Sequence, residues 1–130
     1  ATLDVAILDL YKGNLEFIKN GACPTFIKRG KEIQILKSLE LPTGIVENMD
    51  LVVYDYDLQR DDLIVMCTDG VIESNTEYIS KELWIKYLLE DMQTTDAQKI
   101  ADIILSEAID NNYGKQKDDM TVIVAKIGRF

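Results

Sequence analysis

The hydrophobic period of this chain changes once, near Asp69-Gly70, and changes back near Met120. Up to that point apolar residues recur at every second position in short runs separated by turn chemistry, the period of half-buried strands. Leu3, Val5 and Ile7 alternate from the third residue onward, and Gly13-Asn14 turns the chain into Leu15-Glu16-Phe17-Ile18. Asn20-Gly21 is a second turn signal. Runs at 25–28 and 32–36 flank Arg29-Gly30-Lys31 and predict a second hairpin. Leu41-Pro42-Thr43-Gly44 is loop chemistry, with one dihedral fixed by proline and a positive one open to glycine. Two further strands are expected over 51–58 and 63–67, split by the charged turn Gln59-Arg60-Asp61-Asp62.

Beyond Asp69-Gly70 the spacing becomes three and four. Ser80 is placed to cap a helix whose apolar face is Leu83, Trp84, Tyr87, Leu88 and Met92. Thr95 or Asp96 caps a second, with Ile100, Ile103, Ile104 and Ala108 on its stripe and an end near Tyr113-Gly114. Residues 120–127 return to strand, with Val122 and Val124 facing opposite to Thr121, Ile123 and Ala125. Both sides are apolar, which predicts burial on both faces.

The order of about six strands, two helices and one strand specifies an α+β class with helices packed on antiparallel sheet. A chain of 130 residues has room for one core and none for two. Its opening in mid-strand, with two helices for so much sheet, predicts that residues 1–130 are one part of a larger domain.

Charge removes several functions. Fourteen Lys and Arg stand against 23 Asp and Glu, for a net charge of −9, which opposes gripping nucleic acid or anionic lipid. Charges interrupt every apolar run, so no segment reads as a membrane span or a signal peptide. There is no histidine, and Cys23 and Cys67 form no Cys-x-x-Cys pair. A histidine-dependent triad and a zinc site of the His/Cys type are therefore excluded from this chain alone. Cys67 lies inside Leu63-Ile64-Val65-Met66-Cys67 and reads as a buried small hydrophobe, with a single disulfide to Cys23 as the alternative; the first reading points to a reducing, cytoplasmic compartment.

Carboxylates remain. Asp69 leaves a buried strand directly into a glycine turn in Met66-Cys67-Thr68-Asp69-Gly70, and Asp118-Asp119 precede the last strand. Acids at strand ends on a rigid sheet can converge on a hard divalent cation such as Mg²⁺ or Mn²⁺. Asp-Gly is also a common turn, and an acid pair before a strand is often a solvated loop. Asp55, Asp57, Asp61 and Asp62 read as the wet side of a strand and its turn. Lys28, Arg29 and Lys31 read as a soluble hairpin tip, with phosphate binding as the alternative. Trp84 reads as core.

Four stretches together carry a family resemblance: Gly21-Ala22-Cys23-Pro24-Thr25-Phe26-Ile27; Leu41-Pro42-Thr43-Gly44-Ile45; the run from Asp61 through Thr68-Asp69-Gly70 to Ser74; and Lys117-Asp118-Asp119-Met120-Thr121-Val122. In this order and spacing they resemble the bacterial metal-dependent serine/threonine phosphatases of the PPM type, the protein phosphatase 2C class, on the branch tied to sporulation control. The resemblance implies an αββα sandwich, of which this would be the C-terminal half or more. It also implies a two-metal site with Mn²⁺ or Mg²⁺, and hydrolysis of phosphoserine or phosphothreonine by metal-activated water. Asp69 and Asp118 match metal ligands, while Gly70, Asp119 and Gly21 match positions beside the site. The implied substrate is a phosphorylated regulatory protein of the anti-anti-sigma type, in the cytoplasm or on the cytoplasmic part of a membrane protein. The near alternatives are a stress-response phosphatase of the same type and a non-catalytic module that keeps the fold. The family's metal-bridging aspartate has no counterpart in this sequence, so the chain alone is expected to be inactive.

Overall fold

A computed structural model describes residues 3–37, 52–112 and 118–128 of the chain. The loop at 41–44 and the expected helix end at Tyr113-Gly114 lie outside the described residues. In chain order the elements are β1 (Leu3–Asp9), β2 (Asn14–Asn20), β3 (Thr25–Arg29), β4 (Glu32–Leu36), β5 (Val52–Asp57), β6 (Leu63–Cys67), α1 (Asp69–Ile72), α2 (Leu83–Asp91), α3 (Ala97–Asn111) and β7 (Val122–Lys126). The strands form two antiparallel sheets, one ordered β1-β2-β5 and one ordered β4-β3-β6-β7.

Period-two alternation gives each strand two faces, and the burial follows it. Leu15 and Phe17 point from the three-stranded sheet onto Ile27, Ile64, Leu36 and Ile127 of the four-stranded one. The opposite face of the four-stranded sheet carries Phe26, Leu63, Val65 and Cys67. These pack under Trp84, Ile85 and Leu89 of α2 and Ile100, Ile104 and Ala108 of α3. The described layers are thus helices, sheet, sheet. The far face of the three-stranded sheet presents Leu3, Val5, Ile7 and Ile18, and Leu3 and Ile7 remain 41% and 50% exposed.

The α+β class and the antiparallel sheets match the sequence reading; several details differ. The buried stripe of α2 is turned by one residue, onto Trp84, Ile85 and Leu89, so Tyr87 stays exposed. Glu82, not Ser80, occupies its N-cap position. Asp96 caps α3 by accepting from the Lys99 N–H at 3.0 Å, and Ile103 lies outside the buried stripe. Strand β7 sits at a sheet edge, which leaves Ile123 59% exposed instead of buried.

Two charged groups read as solvated are structural. Lys28 is buried on the helix-facing side, where burial lowers its pKa, and its ammonium donates to the Leu89 and Met92 carbonyls at the end of α2. It therefore satisfies carbonyls that a helix terminus leaves open. Asp62 is 1% exposed and receives both arms of Arg29, Nε to Oδ1 at 2.9 Å and Nη2 to Oδ2 at 2.8 Å. The hairpin-tip cations are thereby engaged in packing, and Lys31 alone of the three is exposed.

Candidate metal centre

The site is built where β6 ends and β7 begins. These strands are antiparallel neighbours, with Cys67 opposite Val122, so the chain after Cys67 and the chain before Val122 emerge at one end of the sheet. Three hydrogen bonds stitch the two segments. Thr68 N–H donates to the Thr121 carbonyl at 3.1 Å, Thr121 N–H donates to Thr68 Oγ1 at 2.9 Å, and Thr68 Oγ1 donates to the Asp119 carbonyl at 3.5 Å.

Gly70 determines how close they come. A Cβ at this buried position would lie 2.3 Å from the Asp119 carbonyl oxygen and 3.3 Å from Asp118 Cβ. Only a residue without a side chain permits that backbone approach. Gly70→Ala must push the Asp118-Asp119 segment away, at about 1–3 kcal/mol for an overpacked contact. The expected result is a lower denaturation midpoint with an unchanged m-value; a midpoint equal to the parent's would mean that the segment yields freely.

The acids are presented outward. Asp69 follows extended Thr68 and opens α1, while Asp118 Oδ1 accepts from the Asp119 N–H at 2.8 Å, fixing its carboxylate against its own backbone. Asp69, Asp118 and Asp119 are all exposed. Asp119 meets Gly70 through its carbonyl, and its carboxylate makes no described contact there.

The third wall is the turn between β2 and β3. Gly21 takes a positive φ of 61°, a conformation open to glycine, and leads into Ala22, Cys23 and Pro24. This turn and Asp69 border two cavities, of about 330 Å³ and about 790 Å³. Lys19, which the sequence reading passed over, fixes the turn from below. It is fully buried and donates to Asp4 Oδ1 at 2.7 Å and to Thr25 Oγ1 at 2.8 Å, tying the two sheets together just before and after the turn. The signal was its position: Lys19 continues the inward series Leu15, Phe17.

Thiol chemistry is not on offer here. Both cysteines are free; burial raises the Cys23 pKa, with the Asp69 charge adding to it, and burial pushes Cys67 up to about 12. Neither supplies a thiolate at neutral pH. Exposed carboxylate oxygens on rigid strand ends fit a hard cation in their chemistry. Among the described residues no group of three or more acidic or thiol side chains gathers around one point, so Asp69 and Asp118 do not by themselves complete a metal site.

Comparison with known proteins places this arrangement. The family model for stage II sporulation protein E (SpoIIE) matches residues 1–128. The Priestia megaterium stage II sporulation protein E is 40% identical over 127 residues, 98% of this chain and 22% of the relative. The Bacillus subtilis (strain 168) protein is 37% identical over 127 residues, 98% of this chain and 15% of the relative. The chain thus spans about a fifth or less of these relatives. Among solved structures, the Mn-presoaked phosphatase domain of the cell fate determinant SpoIIE from Bacillus subtilis superimposes with a TM-score of 0.88 at 34% identity. That alignment covers 100% of this chain and 58% of the solved one. With its two antiparallel sheets, its Asp-Gly turn and its paired acids before β7, the chain belongs to the stage II sporulation protein E family of PPM-type phosphatases.

Proposed function

We propose that residues 1–130 form the C-terminal part of a metal-dependent protein-serine/threonine phosphatase domain. Its substrate would be a phosphorylated regulatory protein of the anti-anti-sigma type in sporulation control. The observation that carries this reading is the contact between the Asp69-Gly70 turn and the Asp118-Asp119 segment, which places two hard-oxygen donors at one sheet end. Asp69 and Asp118 would hold Mn²⁺ or Mg²⁺. A divalent ion there supplies the charge that lowers the pKa of water and stabilises developing charge on phosphoryl oxygens. Gly70 lets the two acid-bearing segments approach each other, and the Gly21 turn walls the site.

The remaining part of the domain would bring the other ligands and pack on the apolar far face of the three-stranded sheet, where Leu3 and Ile7 are exposed. No helix among the described residues is long and apolar enough to cross a membrane. We place the domain in the cytoplasm, as a separate protein or as the cytoplasmic part of a membrane protein. The test is phosphate release from a phosphoserine protein with Mn²⁺. Residues 1–130 alone are expected to be inactive, and the same chain extended through the rest of the domain active. Robust release by residues 1–130 alone would overturn the incomplete-site account, and an inactive extended domain would overturn the enzyme assignment.

A further inference from the structure

Asp69 stands on a helix of a single turn. α1 has four residues, Asp69–Ile72, and one turn does not hold itself in water. Asp118 is fixed by its own backbone, through the Asp119 N–H at 2.8 Å. Among the described residues no ion pair or hydrogen bond reaches the Asp69 carboxylate, so its position follows that of α1. What holds α1 therefore decides where this donor lies.

The front of α1 is held by the sheet, through Thr68 and the close approach of Gly70 to Asp119. Its rear is held by the helices. Trp84, the second residue of α2, donates from Nε1 to the Ile72 carbonyl at 3.0 Å. Ser74 Oγ donates to the Val71 carbonyl at 2.8 Å, and Asn111, the last residue of α3, donates from Nδ2 to Ser74 Oγ at 3.2 Å. These two carbonyls are among those that a helix end leaves without an intrahelical partner. Both bonds are buried, where an open acceptor is costly. Without the hydroxyl, the Val71 carbonyl would keep the longer bond from the Ser74 N–H, 3.3 Å. An indole in a core needs some acceptor, and many would serve. Here both long helices converge on one turn, the turn that carries the proposed metal ligand.

We propose that Trp84 and Ser74, with Asn111 behind Ser74, are positioning residues for Asp69: they fix the rear of α1 and so set how tightly the site holds a divalent cation. The inference rests on the phosphatase reading and adds which residues away from the site keep its ligand in place. None of the three lines the cavities beside Asp69. Supporting residues of this kind act through the placement of the ligand, because a donor that must be ordered on binding holds the cation less tightly. The effect falls on affinity for the cation and spares the chemical step once the cation is bound.

The experiment measures Mn²⁺ binding to the complete phosphatase domain from the free-ion electron paramagnetic resonance signal, with no substrate present. Trp84→Phe keeps an aromatic ring in the core and deletes the N–H, and Ser74→Ala deletes the hydroxyl. Trp84→Phe is expected to weaken Mn²⁺ binding about tenfold, the low end for a lost supporting hydrogen bond, and Ser74→Ala about threefold. At saturating Mn²⁺ both should regain the parent's kcat on p-nitrophenyl phosphate. Ile100→Val, a truncation in the same core that leaves the bonds to α1 alone, should lower the unfolding midpoint without changing Mn²⁺ affinity. In an Asp69→Asn background Trp84→Phe should weaken binding no further, because its effect runs through that side chain. Parental affinity in both Trp84→Phe and Ser74→Ala, or a loss in Ile100→Val as large as theirs, would overturn the positioning role. So would an undiminished effect of Trp84→Phe in the Asp69→Asn background. Asp69→Asn alone separates the failures. Parental Mn²⁺ binding there removes the metal-centre reading itself, while weakened binding there with parental binding in Trp84→Phe and Ser74→Ala removes only the positioning role.

Discussion

Asp62→Ala is expected to destabilise the fold by about 3 kcal/mol while leaving turnover per folded molecule intact. The Asp62 side chain is 1% exposed and its carboxylate accepts three hydrogen bonds: two from Arg29, and one from the Gln59 N–H at 2.8 Å. Arg29 in turn donates to the Asp57 carbonyl at 3.0 Å and lies 5.4 Å from the centre of the Tyr56 ring. Removing one partner of a buried pair leaves the other charge uncompensated, at about 3–5 kcal/mol. The lower end applies because a third of the Arg29 side chain still reaches water. Hydrogen bonding to Asp62 raises the Arg29 pKa further above an already high value, and a guanidinium stays charged without that partner. Asp62 sits at the start of β6 and Asp69 just beyond its end, so the effects of the two acids are separable. Urea unfolding measures the first, and a loss below about 1 kcal/mol would show the pair to be ornamental.

The second large effect concerns turnover. Asp69→Asn and Asp118→Asn in the complete domain should each lower Mn²⁺-dependent turnover by about a hundredfold or more, since each removes a charged donor from a small ligand shell. Asp57→Asn, on an exposed acid of β5, should stay within about twofold. Unfolding midpoints of the Asp69 and Asp118 variants should remain near the parent's, because both side chains are exposed and bury no charge. Equal losses from Asp57→Asn and Asp69→Asn would mean that the wrong acids had been chosen.

Much of this was legible in the residues. The change of period at Asp69-Gly70 separates strands from helices, the alternation in Leu15–Phe17 marks a strand with one buried side, and the continuous apolar run Leu63–Cys67 is a core strand. Asp69, Gly70, Asp118 and Asp119 stood out because acids beside glycine at strand ends are recognisable locally, and the structure brings their segments into contact. What escaped was everything set by pairing across the fold. Asp62 looks like one more turn acid until Arg29 of a neighbouring strand reaches it. Lys28 looks like a hairpin-tip charge until the end of α2 arrives above it. Ile123 has core chemistry, but strand order puts β7 at an edge. The α2 stripe was misjudged because Trp84-Ile85 and Leu88-Leu89 are adjacent apolar pairs, and only packing on the sheet selects which side turns inward.

The most direct test of the account is the number of Mn²⁺ ions bound by the complete phosphatase domain, counted as loss of the free-ion electron paramagnetic resonance signal. The count is independent of any substrate. The parent and Asp57→Asn should bind with the same affinity, while Asp69→Asn and Asp118→Asn should each weaken binding by tenfold or more at an unchanged fold, by about the margin expected for a lost charged ligand. Parent-like Mn²⁺ binding by both Asp69→Asn and Asp118→Asn would contradict the placement of the metal at this end of the sheet.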